Sequence, residues 1–528
     1  MEANYPRCFV YVFFILGSWL LTCLLHFRQP FFHLSGAGAG AVASFLPFSR
    51  NASFFFSVPD ARRSTPSSPP SCDGRYVYMV DLPPQFHVCA DGYPMFNSEQ
   101  SICPLMSNAG LGPVLLPAGV GNRTDDGDAA ADIVPNTGWY NTNQYALEVI
   151  FHHRMRLYEC LTGDPAAAAA VYVPYYPAME LQPHTCGPFN ATVRDGAPER
   201  MLRWLSSRPA WAALGGRDHF MVASKTSWMF RRQAPAAGDG AGEDNGCGNS
   251  LMLRPESRNM TVLTYETIIW EQPRRDFAVP YPSYFHPSSA GEVSDWQERA
   301  RAAPRPWLFA FAGARRPNGT LAIRDRIFDE CDAAAAALPR RRSCGKLDCG
   351  NGATCRSPRK LMDLFAASRF CLQPPGDSFM RRSSVDAVMA GCIPVFFHEA
   401  STFEKQYHWH ERDDPAPADG GRSSGGGRRS RYFVFIDQDE VIQGKVGIEE
   451  ALSRYTDGEV AAMREEVIKM IPRFLYKDPR VRFAGDMRDA FDVTIDEVIA
   501  RIRRIKEEEG LGRKDYYSDD GAVVANAS

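Results

Sequence analysis

The chain has 528 residues, 45% of them hydrophobic and 23% charged, an ordinary globular composition that excludes wholesale disorder. At roughly 150 residues per domain, this length suits several units. Lys plus Arg (59) against Asp plus Glu (62) leaves a formal charge of -3, so a phosphate backbone is an unsuitable main partner and no nucleic acid is expected.

The first element is Cys8–Leu25, an 18-residue run without a charge. As a helix rising ~1.5 Å per residue it spans about 27 Å, enough for a thin early-secretory bilayer. A cleaved leader would have a shorter apolar stretch with a small-residue site close behind it, whereas Ala41-Val42-Ala43 lies well beyond this run. The expectation is a cytosolic tail at 1–7, a retained signal anchor at 8–25, and a Gly, Ala, Ser and Pro-rich stem at 26–71. Sequons at Asn51, Asn122, Asn190, Asn259, Asn318 and Asn526 all follow the anchor. Setting Cys8 and Cys23 aside leaves twelve cysteines, and an oxidising lumen favours their pairing as disulfides. Cys344, Cys349 and Cys355 lack a fourth ligand at zinc-finger spacing.

Eight short apolar runs follow: Tyr76–Val80, Val171–Tyr176, His219–Ala223, Met260–Thr264, Trp307–Ala312, Phe370–Leu372, Ile393–Phe397 and Tyr432–Ile436. Most are continuous rather than alternating, the pattern of strands covered on both faces. Helical patterns lie between several of them, at Thr142–Leu161, Pro358–Ser368 and Ser383–Ala390. The fold class is therefore α/β, with two Rossmann-like domains facing a cleft, at 72–300 and 301–445. Helices at 446–510 brace the halves, a disordered tail fills 511–528, and the low-complexity stretches 234–249 and 415–431 are surface loops.

In open parallel sheets, ligands bind beyond the carboxyl ends of strands. The run ending at Ala312 leads into Gly313-Ala314-Arg315-Arg316, with Arg324 following. Phe370–Leu372 leads into Gln373-Pro374-Pro375-Gly376-Asp377-Ser378, and then Arg381, Arg382 and Ser383 open a helix. Arginines beside a helix N-terminus suit a diphosphate. Ser383 and Asp386 equally fit a capping box. The absence of a Walker A loop, a G-x-G-x-x-G turn and a G-x-S-x-G elbow argues against an ATPase, a dinucleotide enzyme and an α/β-hydrolase. In the first half, Ala146, Ile150, His153 and Leu157 share one helical face, so His153 is either a core histidine or a catalytic base. Asp81 and Glu180 are carboxylates at strand ends, and Tyr140, Trp409 and His410 are further candidate binding residues. Two histidines, His408 and His410, make an incomplete metal site.

Several segments in order resemble one family. They are Tyr76–Pro83 (YVYMVDLP), Gly138–Tyr145 (GWYNTNQY), Leu147–His152 (LEVIFH), Tyr158–Thr162 (YECLT), Phe370–Pro374 (FCLQP), Gly391–His398 (GCIPVFFH), Met463–Val467 (MREEV) and Asp489–Asp492 (DAFD). Together they resemble the exostosin-like family 47 glycosyltransferases of plants, within them the xyloglucan galactosyltransferase (KATAMARI-like) clade, over about residues 72–505. The resemblance implies a single-pass type II Golgi membrane protein of GT-B fold, with the acceptor domain first and the nucleotide-sugar domain second. It implies UDP-galactose as donor, xyloglucan or a related hemicellulose as acceptor, and complexes with other Golgi glycosyltransferases. No cofactor is required beyond the UDP-sugar co-substrate, and a divalent metal is left open. By the same resemblance Arg324 and Arg382 meet the diphosphate and Asp386 the nucleotide side; the strand-end residues Gly313, Gln373, Gly376 and Ser383 then surround the donor, and Tyr140, Trp409 and His410 the acceptor. Glu180 or His153 is then the base of an inverting transfer, Glu180 standing where the family usually has Asp. The alternatives are a transferase using UDP-galacturonic acid or a UDP-pentose, a mannan acceptor, and a non-catalytic glycan-binding protein.

Overall fold

Every apolar run read as a strand forms one in the computed structural model, which describes residues 71–510 except 90–100, 116–132, 188–190, 234–245, 271–273, 317–320, 338–341, 351–354, 356 and 412–429. The anchor 8–25, the tail 1–7, nearly all of the stem, the tail 511–528, most of the loops 234–249 and 415–431, and every sequon but Asn259 lie outside the described residues.

Six strands build the front sheet: β1 (Val77–Met79), β2 (Leu161–Thr162), β3 (Ala170–Tyr172), β4 (His219–Val222), β5 (Thr261–Thr264) and β6 (Asp276–Ala278). Their order is β2-β1-β3-β4-β5-β6, and every pairing is parallel. Five build the back sheet: β7 (Trp307–Gly313), β8 (Cys344–Asp348), β9 (Ser368–Gln373), β10 (Ile393–Phe396) and β11 (Val434–Phe435). These run β11-β10-β9-β7-β8, again all parallel. Parallel strands need crossovers that cover both faces, and accordingly β3 to β6 and β10 are buried at every residue.

Both sheets are wound the same way. The chain steps from the first strand to the second on one side, then returns across the first to place the third on the other. That reversal opens a crevice at the carboxyl ends of β1 and β3 in front, and of β7 and β9 behind. The second crevice is where Gly313–Arg316 and Gln373–Ser383 emerge.

Several boundaries differ from the sequence reading, each for a local reason. The strand expected to reach Tyr176 stops at Tyr172, because Pro174 has no N–H for the ladder. The helix expected over Thr142–Leu161 is α1 (Leu147–Arg156). Before it, Asn143 Oδ1 accepts the Tyr145 N–H at 2.9 Å, a side-chain turn that competes with helix. The capping box expected at Ser383 is absent. Helix α2 (Arg382–Met389) begins one residue earlier, with Arg381 as N-cap and no side-chain cap, while Ser383 Oγ donates to Gln373 Oε1 at 2.6 Å.

The helical tail is shared between the halves. α3 (Asp457–Phe474) starts with a capping box between Thr456 and Glu459 and packs on α2 of the back half. α4 (Ala490–Gly510) returns to the front sheet against β3, where Arg501 reaches Thr261 Oγ1 at 3.2 Å and lies over the Phe277 ring.

The twelve cysteines beyond the anchor form six disulfides: Cys72–Cys160, Cys89–Cys103, Cys186–Cys247, Cys331–Cys344, Cys349–Cys355 and Cys371–Cys392. Cys344, Cys349 and Cys355 are thus all consumed by sulfur–sulfur bonds.

Candidate functional site

The carboxyl ends of the two sheets face one cavity of about 790 Å³. Its back wall is the pair of segments leaving β7 and β9, including Gly313, Arg316, Arg324, Gly376, Arg381, Arg382 and Ser383. The front wall comes from the start of α1 and the end of β4, chiefly Gln144, Tyr145, Lys225, Thr226 and Trp228, with Tyr281 nearby. Six cations therefore share one cavity: Arg315, Arg316, Arg324, Arg381, Arg382 and Lys225.

Backbone economy brings the arginines together. A side chain on Gly376 would sit 2.6 Å from both Arg324 Nη2 and Arg381 Nη1, so glycine leaves the space that the two guanidinium groups fill. Arg324 is 2% exposed, and its Nε donates to the Pro375 carbonyl at 3.2 Å. Its Nη2 has no hydrogen-bond partner. Arg382 spans the halves. It donates Nη1 to the Thr142 carbonyl at 2.6 Å, stacks 3.7 Å from the Tyr284 ring centre, and holds Nε 3.8 Å from Asp386. Its Nη2, and Nε2 of neighbouring Gln373, are also buried without a hydrogen-bond partner. Buried donors left unmatched are costly. Counting Nε of Arg316 and of Arg382, five of them sit in or beside one cation-rich cavity, the signature of a site built for an anion.

Burial sets the charge states. It lowers Arg381 to about 10, helped by the nearby positive charge of Arg316. It lowers Lys225 to about 8, against the pull of Glu148. Asp386 is fully buried and raised by desolvation, although Arg382 and a 2.6 Å bond from Ser283 Oγ oppose this. Asp386 therefore supports Arg382 from beneath without lining the cavity.

Glu148 is a buried hub of the front wall. Its oxygens accept the backbone N–H groups of Ala178 (2.8 Å), Met179 (3.2 Å) and Ser224 (2.9 Å), so one carboxyl joins the helix after β3 to the turn after β4. That turn carries Lys225, whose Nζ donates to Gln182 Oε1 at 2.7 Å and lies 4.0 Å over the Tyr145 ring. Glu266, at the end of β5, accepts the Met380 N–H at 2.6 Å and so ties the front sheet to the arginine loop.

Of the residues nominated from sequence, Gly313, Arg324, Gly376, Arg382 and Ser383 line the cavity, and Gln373 and Asp386 lie directly behind it. The others lie elsewhere. Glu180 accepts a bond from the Tyr175 hydroxyl at 2.8 Å, and His153 is half-buried beside His152. Tyr140 is buried and takes a bond from Arg480 at 2.5 Å. Trp409 is core, stacked on Phe277 at 4.5 Å, and His410 has no exposed surface. Lys225, Tyr145, Trp228 and Glu148 were missed. The signal that finds Lys225 and Trp228 is the strand-end rule applied to the first half as well as the second.

A second cavity, of about 430 Å³, lies by Arg75, Arg154, Lys477 and Phe483. Its two buried cations are each paired with a carboxylate, Arg154 with Asp489 at 3.1 Å and Lys477 with Asp492 at 2.7 Å.

Comparison with known proteins decides the family. The Exostosin GT47 domain model matches residues 71–415. The chain belongs to the exostosin GT47 glycosyltransferase family. It is 37% identical to xyloglucan galactosyltransferase MUR3 of Arabidopsis thaliana over 88% of this chain and 69% of that protein. It is 38% identical to the probable xyloglucan galactosyltransferase GT12 of the same plant over 85% and 81%. The xyloglucan-specific galacturonosyltransferase 1 of Arabidopsis thaliana is 32% identical, over 83% of this chain and 58% of that one. Among solved structures, the avilamycin-pathway glycosyltransferase AviGT4 aligns at a TM-score of 0.28 and 11% identity over 73% of this chain and 96% of that one, too slight a likeness to bear on fold or function.

Proposed function

We propose that this GT47 member transfers galactose from UDP-galactose to xylosyl side chains of xyloglucan, through a β-1,2 linkage with inversion, and that its two sheets make a GT-B-type pair. The carrying observation is the cavity between the facing strand ends, where six cations surround unmatched N–H donors of Arg324 and Arg382. A UDP diphosphate supplies the oxygens those donors lack. As the anomeric bond breaks, negative charge grows on the departing UDP, and preorganised donors in a water-poor site stabilise that change, typically by about 3–4 kcal/mol for one donor. The likeness to xyloglucan galactosyltransferases supports the sugar and the acceptor.

The apolar run 8–25 and the six disulfides support a type II Golgi membrane protein with its body in the lumen, acting beside other Golgi glycosyltransferases. The test is to incubate the unit Pro70–Ser528 with a panel of UDP-sugars and xyloglucan oligosaccharides and weigh the products. A hexose increment from UDP-galactose alone is expected, and no transfer from any UDP-sugar refutes the proposal. Lys225 favours one second reading, since a cation on the front wall also suits the carboxylate of UDP-galacturonic acid. A uronic acid increment replaces galactose with that sugar.

A further inference from the structure

The acceptor candidates read from the sequence are buried, yet two other tryptophans are not. Trp270 is 63% exposed and Trp228 is 38% exposed. Large exposed aromatics with a defined setting mark recognition surfaces.

Their positions are fixed by the sheet. β4 and β5 are parallel neighbours, and their pairing continues past the strands in a bridge between Thr226 and Glu266. Trp228 follows that bridge by two residues and Trp270 by four, so both tryptophans lie beyond the carboxyl end of the front sheet. Glu266 holds the Met380 N–H at 2.6 Å, which brings the back loop to the same point. The residue before Met380 is Phe379. The Trp270 ring meets Phe379 edge-on at 5.6 Å, and Phe379 stacks on His398, beyond β10, at 4.4 Å. Trp228 also lines the cation-rich cavity. Trp270, Phe379 and His398 thus form one aromatic run from the front half to the back half, and Trp228 stands on the cavity wall at the same end of the front sheet.

We propose that Trp228, Trp270 and Phe379 form a stacking platform that binds the backbone of a neutral β-glucan chain beside the transfer site. A neutral polysaccharide has no charge for the arginines to hold. Its sugar rings do present flat C–H faces that pack on indole, and its hydroxyls stay in water at the rim. The proposal rests on the transferase reading for the identity of the glycan, and on geometry alone for the platform.

The test uses the purified full chain in native gels containing xyloglucan, with UDP affinity measured in parallel by calorimetry. The parent is expected to be retarded by xyloglucan. Trp270→Ala should bind the glucan about tenfold more weakly, the order of a lost aromatic stacking contact, and Trp270→Phe should fall between. UDP affinity should be equal in all three, since Trp270 is outside the cavity and its removal leaves the core untouched. An unretarded parent, or a Trp270→Ala chain retarded like the parent, overturns the platform. Equal retardation by polygalacturonate also overturns it, because that is charge capture by the arginines. Glucan binding that depends on Trp270 in a chain that ignores UDP keeps the platform and removes the transferase reading.

Discussion

Consider the replacement Arg324→Met. The side chain is almost wholly buried, makes one bond from Nε to the Pro375 carbonyl, and leaves Nη2 unmatched. Methionine fills similar space without the charge. Losing the Pro375 bond costs about 1 kcal/mol, and removing a desolvated cation returns a comparable amount. The free protein should therefore unfold within about 1 kcal/mol of the parent. The nucleotide complex should not be spared. One charge-assisted bond to a phosphate oxygen is worth about 2 kcal/mol, or about 30-fold in UDP affinity. At a UDP concentration one hundred times the parent Kd, bound ligand adds about 2.7 kcal/mol to the parent and about 0.9 kcal/mol to the variant. Thermal unfolding with and without UDP reads both quantities at once. A variant that unfolds like the parent and keeps the full UDP shift refutes the placement of the diphosphate at Arg324.

Gly376→Ala should displace the Arg324 and Arg381 guanidinium groups, weakening UDP binding several-fold while circular dichroism stays unchanged; undiminished affinity contradicts the packing argument. Replacing both Cys371 and Cys392 by serine opens a buried link across 21 residues, worth about 3 kcal/mol by loop entropy, and denaturant midpoints should fall accordingly. Stability should peak near pH 6.5. Burial raises Glu148 to about 8 and Glu266 to about 7, so each keeps a proton that the unfolded chain releases above 4.5, and stability falls with pH up to those values. Burial lowers His152, His286 and His410 to about 3, 4 and 3, so the unfolded chain binds protons below 6.5 that the folded chain refuses, and stability rises toward that pH. Three rising terms outweigh two falling ones below pH 6.5, and above it the falling pair prevails until Lys225, lowered by burial to about 8, loses its proton in the folded chain and adds a rising term; a midpoint still climbing between pH 6.5 and 7.5 contradicts the assignment.

What could be read from the chain depends on how far each cause extends along it. Strands covered on both faces announce themselves as apolar runs, so β1, β3 to β5, β7 and β9 to β11 were all legible. β2, β6 and β8 were not: β2 has two half-buried residues, β6 is buried but only three residues long and begins with the charged Asp276, and β8 alternates with the exposed Lys346 and Asp348. The back wall of the site was legible because Gly376, Arg382 and Ser383 follow a strand within a few residues. The front wall was not, because Lys225 gains its meaning from Gln182 and Tyr145, 43 and 80 residues away. Trp409 has the composition of a sugar platform and the environment of a core residue, a distinction made by Phe277 over 130 positions earlier.

On the proposed reading, the charge balance of the cavity gives donor and acceptor different handholds. Arg316 does have a carboxylate, Asp377 at 3.0 Å, but that pair is exposed and water screens it. Lys225, Arg324, Arg381 and Arg382 are the better buried cations, and the carboxyls nearest the front wall are already committed: Glu148 accepts three backbone N–H groups and Glu266 one. Burial also holds both toward the neutral form, in which a carboxyl still accepts bonds yet leaves the field around it positive. The guanidinium groups therefore repel one another, as Arg316 does Arg381. An incoming diphosphate removes that repulsion and fills the unmatched donors in one step, so nucleotide binding should strengthen as salt is lowered. A neutral glucan gains nothing from the same field. Its affinity has to come from surface contact, and on this cleft the exposed surface suited to flat sugar rings is the indole rim.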